Sequence, residues 1–168
     1  MANLFEGKTK REIMIEIGQI SGDEPGENDI GFDITLDLSG KQSWKLVDKI
    51  LLDFKHKINP KYLKFYIKQL RTTLANLFRV NSISEDLYVF YSRDRGYYKK
   101  SKKYNPNGIS FRPLIFLVDN LKEHGWINHI IGRYDKVNEE GKRSRMCPSN
   151  KLIQAFNDYE ITTKHLYT

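Results

Sequence analysis

EHGWINHIIGRYDKVNEEGKRSRMCPSNKL, residues 123–152, begins at the end of one helix and finishes at the start of another. His124-Gly125 closes the first helix, because glycine takes the left-handed backbone that stops a helix without steric cost. Trp126, Ile127, Ile130 and Ile131 then put apolar bulk into residues 126–132, as a strand does when it packs back on the helix it leaves. Residues 133–142 are charged and contain Gly141, and 143–147 read as a second strand. A last helix follows, from about Ser149 to Asn157. The stretch is therefore a two-stranded ribbon with a basic, exposed tip, attached to a helix end.

Working outward, "ISFRPLIFLVDNLKEHG" reads as the helix over 110–124. Ser110 can cap it, Pro113 sits in the first turn where its missing N–H costs nothing, and Leu114, Leu117, Val118 and Leu121 form its buried stripe. Phe111, Ile115 and Phe116 suit a core or an interface better than base reading. Further back, 87–91 reads as a strand. "NPKYLKFYIKQLRTTLANLFRV" predicts a helix over 60–80, with Asn59 as cap, Pro60 first, and Leu63, Ile67, Leu70, Leu74 and Leu77 as its core face. "SWKLVDKILLDFKHKI" predicts another over 43–58, capped by Ser43, with Val47, Ile50, Leu51, Phe54 and Ile58 inward. Before it lie two alternating runs, Ile13, Ile15, Ile17 and Phe32, Ile34, Leu36, Leu38. They flank an acidic loop and suggest a hairpin, or an arm that finds a sheet edge elsewhere; Asp33 and Asp37 fall on its solvent side.

Composition narrows the partners. The 168 residues hold 39% apolar and 12% aromatic side chains, enough for a real core, and no apolar run of membrane-spanning length. A lone Cys147 without Cys or His ligand spacing, and no secretory leader pattern, predict a reduced, cytoplasmic protein. The net charge of +7 is uneven: residues 1–40 carry three basic and nine acidic side chains, so the remaining 128 carry 25 basic against 12 acidic. A body at +13 attracts polyanions, of which nucleic acid is the commonest. The densest cluster is "RDRGYYKKSKK", residues 93–103, with six basic residues, one acid, and Tyr97 and Tyr98 among them. Cations there can neutralise phosphate while tyrosines stack or hydrogen-bond.

Helix, strand, basic loop, helix, strand, turn, strand is the order of a winged helix, in which the second helix enters a DNA groove and the ribbon tip reaches phosphate. "YSRDRGYY", "RPLIFLVDNLKEHGWI", "IIGRYD" and "SRMCPSNKLIQAF" resemble the winged-helix DNA-binding domains of bacterial plasmid and phage proteins, including replication-initiator-type proteins. The resemblance covers about residues 88–156 and implies duplex DNA as partner, repeated or palindromic sites, and often a homodimer. Its long 81–109 connection departs from the short middle helix usual in the motif, and the first 40 residues have no counterpart. The expected fold is α+β: an acidic N-terminal β arm over 1–42 and a winged helix-turn-helix domain over 43–168. Candidate DNA contacts are Arg93, Arg95, Lys99, Lys100, Lys102, Lys103 and Tyr104 in the loop, and Arg112 on the helix. Arg133, Lys136, Lys142, Arg143 and Arg145 join them from the ribbon, and Asn120 can read adenine if it faces outward. The acids Asp135, Glu139 and Glu140 make Arg143 and Arg145, on the strand, better placed than the extreme tip.

Enzyme motifs are weak. His124 and His129 form no metal-pair motif beside a tyrosine, "HIIGR" has one residue too many for a recombinase signature, and "EGK" at 140–142 lies in a glycine turn. No glycine-rich phosphate loop follows a strand, so neither a cofactor, a metal nor a catalytic residue is expected. A protein–protein adaptor on the same frame is the first alternative, since exposed tyrosine, phenylalanine and tryptophan favour interfaces too, and a DNA-processing enzyme is the second.

Overall fold

The structure, a computed structural model, describes residues 29–91, 111–130, 134–135, 140–141 and 144–168. The first alternating run, the acidic loop through residue 28 and Ser110 lie outside that set. Among the described residues the fold is mixed α+β, four helices against small sheets.

Its axis is α2 (Leu63–Ile83), entered through a 3-10 turn at Pro60–Tyr62. Asn59 starts it as expected, its side chain accepting from the Lys61 amide at 3.0 Å. Leu70, Leu74 and Leu77 are buried, but so are Gln69, Thr72, Thr73, Ala75, Asn76, Phe78 and Val80. The one-sided leucine stripe therefore understates α2, which is enclosed on most of its circumference. Polar groups survive there because they bond locally: the Thr73 hydroxyl donates to the Gln69 carbonyl at 2.9 Å, and Asn76 Nδ2 donates to the Thr72 carbonyl at 2.8 Å.

The helix α1 (Lys41–Leu51) corrects two expectations. Gly40, at φ 90°, precedes it, and Ser43 is not its cap: it is buried in the first turn, its hydroxyl donating to the Ser39 carbonyl at 2.7 Å. The helix also ends at Leu51, seven residues early, and a turn leads to the short 3-10 segment Lys55–Lys57. Phe54 and Ile58 stay buried, so the apolar periodicity outlasts the helix that it suggested.

Residues 29–38, read as part of the acidic arm, share one hydrophobic core with the helices. The alternation is real, with Phe32, Ile34, Leu36 and Leu38 buried. It is not one strand: β1 (Ile30–Gly31) and β2 (Asp37–Leu38) are separated by a turn at Asp33, whose carboxylate accepts from the Thr35 amide and hydroxyl at 2.9 and 2.6 Å. Asp33 and Asp37 also face α2 rather than open solvent. Arg79 pairs with Asp33 at 3.5 Å and Arg71 with Asp37 at 2.9 Å. Between them, the buried Asn76 side chain accepts from the Asp33 amide at 2.7 Å and donates to its carbonyl at 2.9 Å.

Beyond α2 come β3 (Val89–Tyr91), α3 (Phe111–Glu123), β4 (Ile127–Ile130), β5 (Tyr134–Asp135), β6 (Glu140–Gly141), β7 (Ser144–Pro148), α4 (Asn150–Asp158) and β8 (Leu166–Tyr167). The main sheet runs β1-β3-β7-β4, with β1 parallel to β3 and the other neighbours antiparallel. β2 pairs separately with β8. Leu114, Leu117, Val118 and Leu121 of α3 are buried, as their spacing predicts. Gly125, at φ 77°, ends α3 in a Schellman arrangement, with Trp126 N donating to Leu121 O at 2.8 Å and Gly125 N to Lys122 O at 3.1 Å. Trp126 then packs inward, its indole donating to Asp53 at 2.7 Å while the Lys151 ammonium lies 4.0 Å over the ring. Ser149 caps α4 by accepting from the Leu152 amide at 3.3 Å.

The same arrangement ends α4, but without glycine: Glu160 holds φ 55° while Ile161 N donates to Phe156 O at 2.8 Å. A side chain at that backbone angle is strained, and Glu160→Gly is expected to raise the unfolding free energy by about 0.5–1 kcal/mol, read by urea denaturation. An unchanged midpoint would mean that the contacts of Glu160 offset its strain.

Candidate nucleic-acid interface

Three features of the fold bear on the expected contacts. The first is the ribbon. β4 and β7 pair from Ile127 opposite Pro148 to Ile130 opposite Arg145, and the same residue offset returns farther out, where Tyr134 pairs with Gly141 and Asp135 with Glu140. Pairing thus reaches inside the expected turn, 133–142. The second is the sheet order: β7, the second ribbon strand, lies between β3 and β4. The ribbon is rooted in the sheet at both of its strands.

The third is α3. Its inner face is committed to the core, and Arg112, Asp119, Lys122 and Glu123 are exposed. Asn120 is turned inward, correcting its assignment as a base reader: it is buried, its amide donating to the Phe116 carbonyl at 2.8 Å and its oxygen accepting from Lys57 Nζ at 3.1 Å. Ile115 and Phe116 pack partly buried on the core, Phe116 edge-on to Tyr66 with centroids 5.3 Å apart. Only the outer stripe of α3 is open to a partner.

Arg145 is the second correction among the candidates. It sits on the central strand β7, flanked by Phe90 and Ile130, and is 0% exposed. A guanidinium enclosed there is a sheet residue and not a surface phosphate contact. Arg112 remains an exposed candidate. Arg93, Arg95, Lys99, Lys100, Lys102, Lys103, Tyr104, Arg133, Lys136, Lys142 and Arg143 lie outside the described residues.

A further basic surface lies apart from the expected contacts. Residues 41–68 hold eight lysines against Asp48 and Asp53, and all eight lysines are exposed. Lys41, Lys45 and Lys49 recur every four residues along α1, and Lys64 and Lys68 do so at the start of α2, with Lys61 in the 3-10 turn before it. Such spacing places each set on one helix face, a signal readable from the sequence once the charged face is counted as carefully as the apolar one. Trp44, 55% exposed, lies among them with the Arg71 guanidinium 5.1 Å from its ring centre. Arg71 is held in turn by Asp37, which also accepts from the Tyr167 hydroxyl at 3.0 Å.

Burial, then the bond to Asp37 and its negative charge, push the Tyr167 phenol above its ordinary value of 10.0, against the opposing Arg71 charge. The folded state therefore holds this proton more tightly than the unfolded chain. The stability involved is present below the ordinary phenol range and is lost as pH rises through the raised value. In unfolding titrations from about pH 9 to 12, Tyr167→Phe is expected to lose part of the alkaline destabilisation; an identical alkaline profile would refute the linkage.

Comparison with protein-family models, curated proteins and solved structures finds no match to this chain.

Proposed function

We propose that this protein binds duplex DNA without catalysing a reaction on it, using a winged-helix frame. The observation that carries the reading is the sheet order: a helix (α3) leads straight into a ribbon whose second strand, β7, inserts between β4 and β3. That is the arrangement in which a helix can lie in a major groove while a ribbon extends beside it. The exposed stripe of α3, with Arg112 and Lys122, would face the groove. The basic segment 93–103 joins β3 to α3 in sequence and supplies six cations for the backbone. A role in replication initiation or transcriptional control of a bacterial mobile element rests on the resemblance of residues 88–156 alone.

The test is fluorescence-anisotropy binding of the full chain to a random duplex across a salt series. About five phosphate contacts predict a log–log slope of roughly −4 to −5. Absence of binding at low salt would sink the reading. Exposed apolar residues such as Leu52 and Ile83 keep an adaptor role as the second reading. Weakly salt-dependent binding to a protein partner would favour it.

A further inference from the structure

We propose that the α1–α2 face around Trp44 is a site for single-stranded nucleic acid, with an unpaired base stacked on the Trp44 ring and the neighbouring phosphates on the α1 lysines. The site uses neither α3 nor the ribbon, and it does not depend on the duplex reading.

An indole left 55% exposed keeps apolar surface in water, and here it is also held in place. Arg71 sits over the ring at 5.1 Å, Asp37 fixes Arg71 at 2.9 Å, and Tyr167 fixes the same carboxylate oxygen at 3.0 Å. Arg71 of α2 thus meets the ring on α1, and β2 and β8 hold that arginine in turn. An ordinary solvated face would need lysines alone, with no reason to order a tryptophan among them. The guanidinium lies over the ring, while more than half of the residue's surface stays open for stacking.

The charge around the ring selects the ligand. Lys41 lies one turn before Trp44 on the same side of α1, Lys45 and Lys49 run up the side next to it, and Lys68 lies one turn before Arg71 on α2. Asp48, exposed one turn after Trp44, is the acid of α1, and against Lys41, Lys45 and Lys49 on α1 and Lys68 on α2 the surface keeps a net positive charge. Lysines four apart stand about 6 Å apart along the helix axis, a spacing close to that of successive phosphates on an extended strand. A duplex keeps its base faces stacked inside and can offer this ring only its edges and backbone. A single strand can offer a whole base face together with the phosphates. The pairing of an open ring with a cationic row therefore favours the single strand over a duplex, and over an acidic peptide, which has no planar group to stack.

The experiment is titration of the full-length protein with an oligo-dT of about 15 nucleotides, followed by tryptophan fluorescence and by anisotropy of a labelled strand. Trp126 is 4% exposed and serves as the unquenched internal reference. Wild type is expected to bind with quenching. Trp44→Ala should lose the quenching and weaken binding about 5- to 100-fold, with Trp44→Phe intermediate. Lys41→Gln/Lys45→Gln/Lys49→Gln should flatten the log–log salt slope by roughly 2. All of these residues are exposed, so the variants should melt like wild type, and a duplex bound elsewhere should be held as before. No wild-type binding to oligo-dT at low salt, or wild-type affinity in Trp44→Ala, would overturn the proposal. So would polyglutamate binding as tightly and with the same dependence on Trp44, which would assign the face to an acidic protein. Oligo-dT binding by a protein that ignores duplex would refute the duplex reading and leave this one standing.

Discussion

Replacing Lys99, Lys100, Lys102 and Lys103 together by alanine is expected to weaken binding to a random duplex by about 10²- to 10³-fold at 0.1 M salt. Each cation seated on a phosphate releases about one condensed counterion, and that release becomes more favourable as salt falls. Loss of four such contacts should also flatten the log–log salt slope by roughly 3 to 4. The two readouts belong together: an affinity loss without a change of slope would mean that the substitutions disturbed the fold or a neutral contact. Unchanged affinity and slope would show that the 93–103 cluster keeps the chain solvated and nothing more, and would leave the exposed stripe of α3 and the ribbon to bind alone. The duplex and oligo-dT titrations should respond to different substitutions, the loop lysines governing the first and Trp44 the second.

Asn76→Ala should lower the unfolding free energy by about 2–4 kcal/mol, measured by urea denaturation. Asn76 is fully buried on α2, and its amide does three jobs: it accepts from the Asp33 amide and donates to the carbonyls of Asp33 and Thr72. Alanine would strand the backbone of Asp33 next to the core with nothing of matching polarity, and would leave a small void at a fully buried position. Asn76→Asp separates the effects. It keeps the shape and the acceptor but removes both donated bonds and adds a charge that burial penalises. Its loss should therefore equal or exceed that of alanine. A small effect from both variants would show that residues 29–38 hold their place by apolar packing alone. Because Arg79 pairs with Asp33, the same variants should weaken that ion pair, whereas the Arg71–Asp37 pair is also tied down by Tyr167.

Much of the local structure was legible in the chain. The Asn59-Pro60 start, the stripe on α3, the stop at Gly125, the strand at Trp126-Ile127 and the Ser149 cap are each written in a few neighbouring residues whose backbone preferences act over a single turn. The ribbon was legible for the same reason, since a hairpin is a local pairing. The α+β class followed from the change of period between segments. The lysine rows of residues 41–68 are equally local, since their four-residue spacing is written in the chain.

What only the tertiary structure decided depends on residues far apart in sequence. Period-two alternation in residues 32–38 shows which side chains are buried, but not that the segment breaks at Asp33 and threads along α2, because that depends on Asn76, Arg79 and Arg71 some 34–46 residues away. Asn120 and Arg145 looked like surface groups because both are polar; one turns inward to meet Lys57, and the other lies on a strand enclosed between two others. Trp44 meets Arg71, 27 residues away, only in the fold, and Asp37 and Tyr167 hold that arginine from two further elements. Local sequence determines which backbone shape and which face a residue prefers, since those preferences act across one turn or one strand pair. Which distant group meets that face is decided when the core closes, because burial and polar pairing are satisfied together over the whole chain.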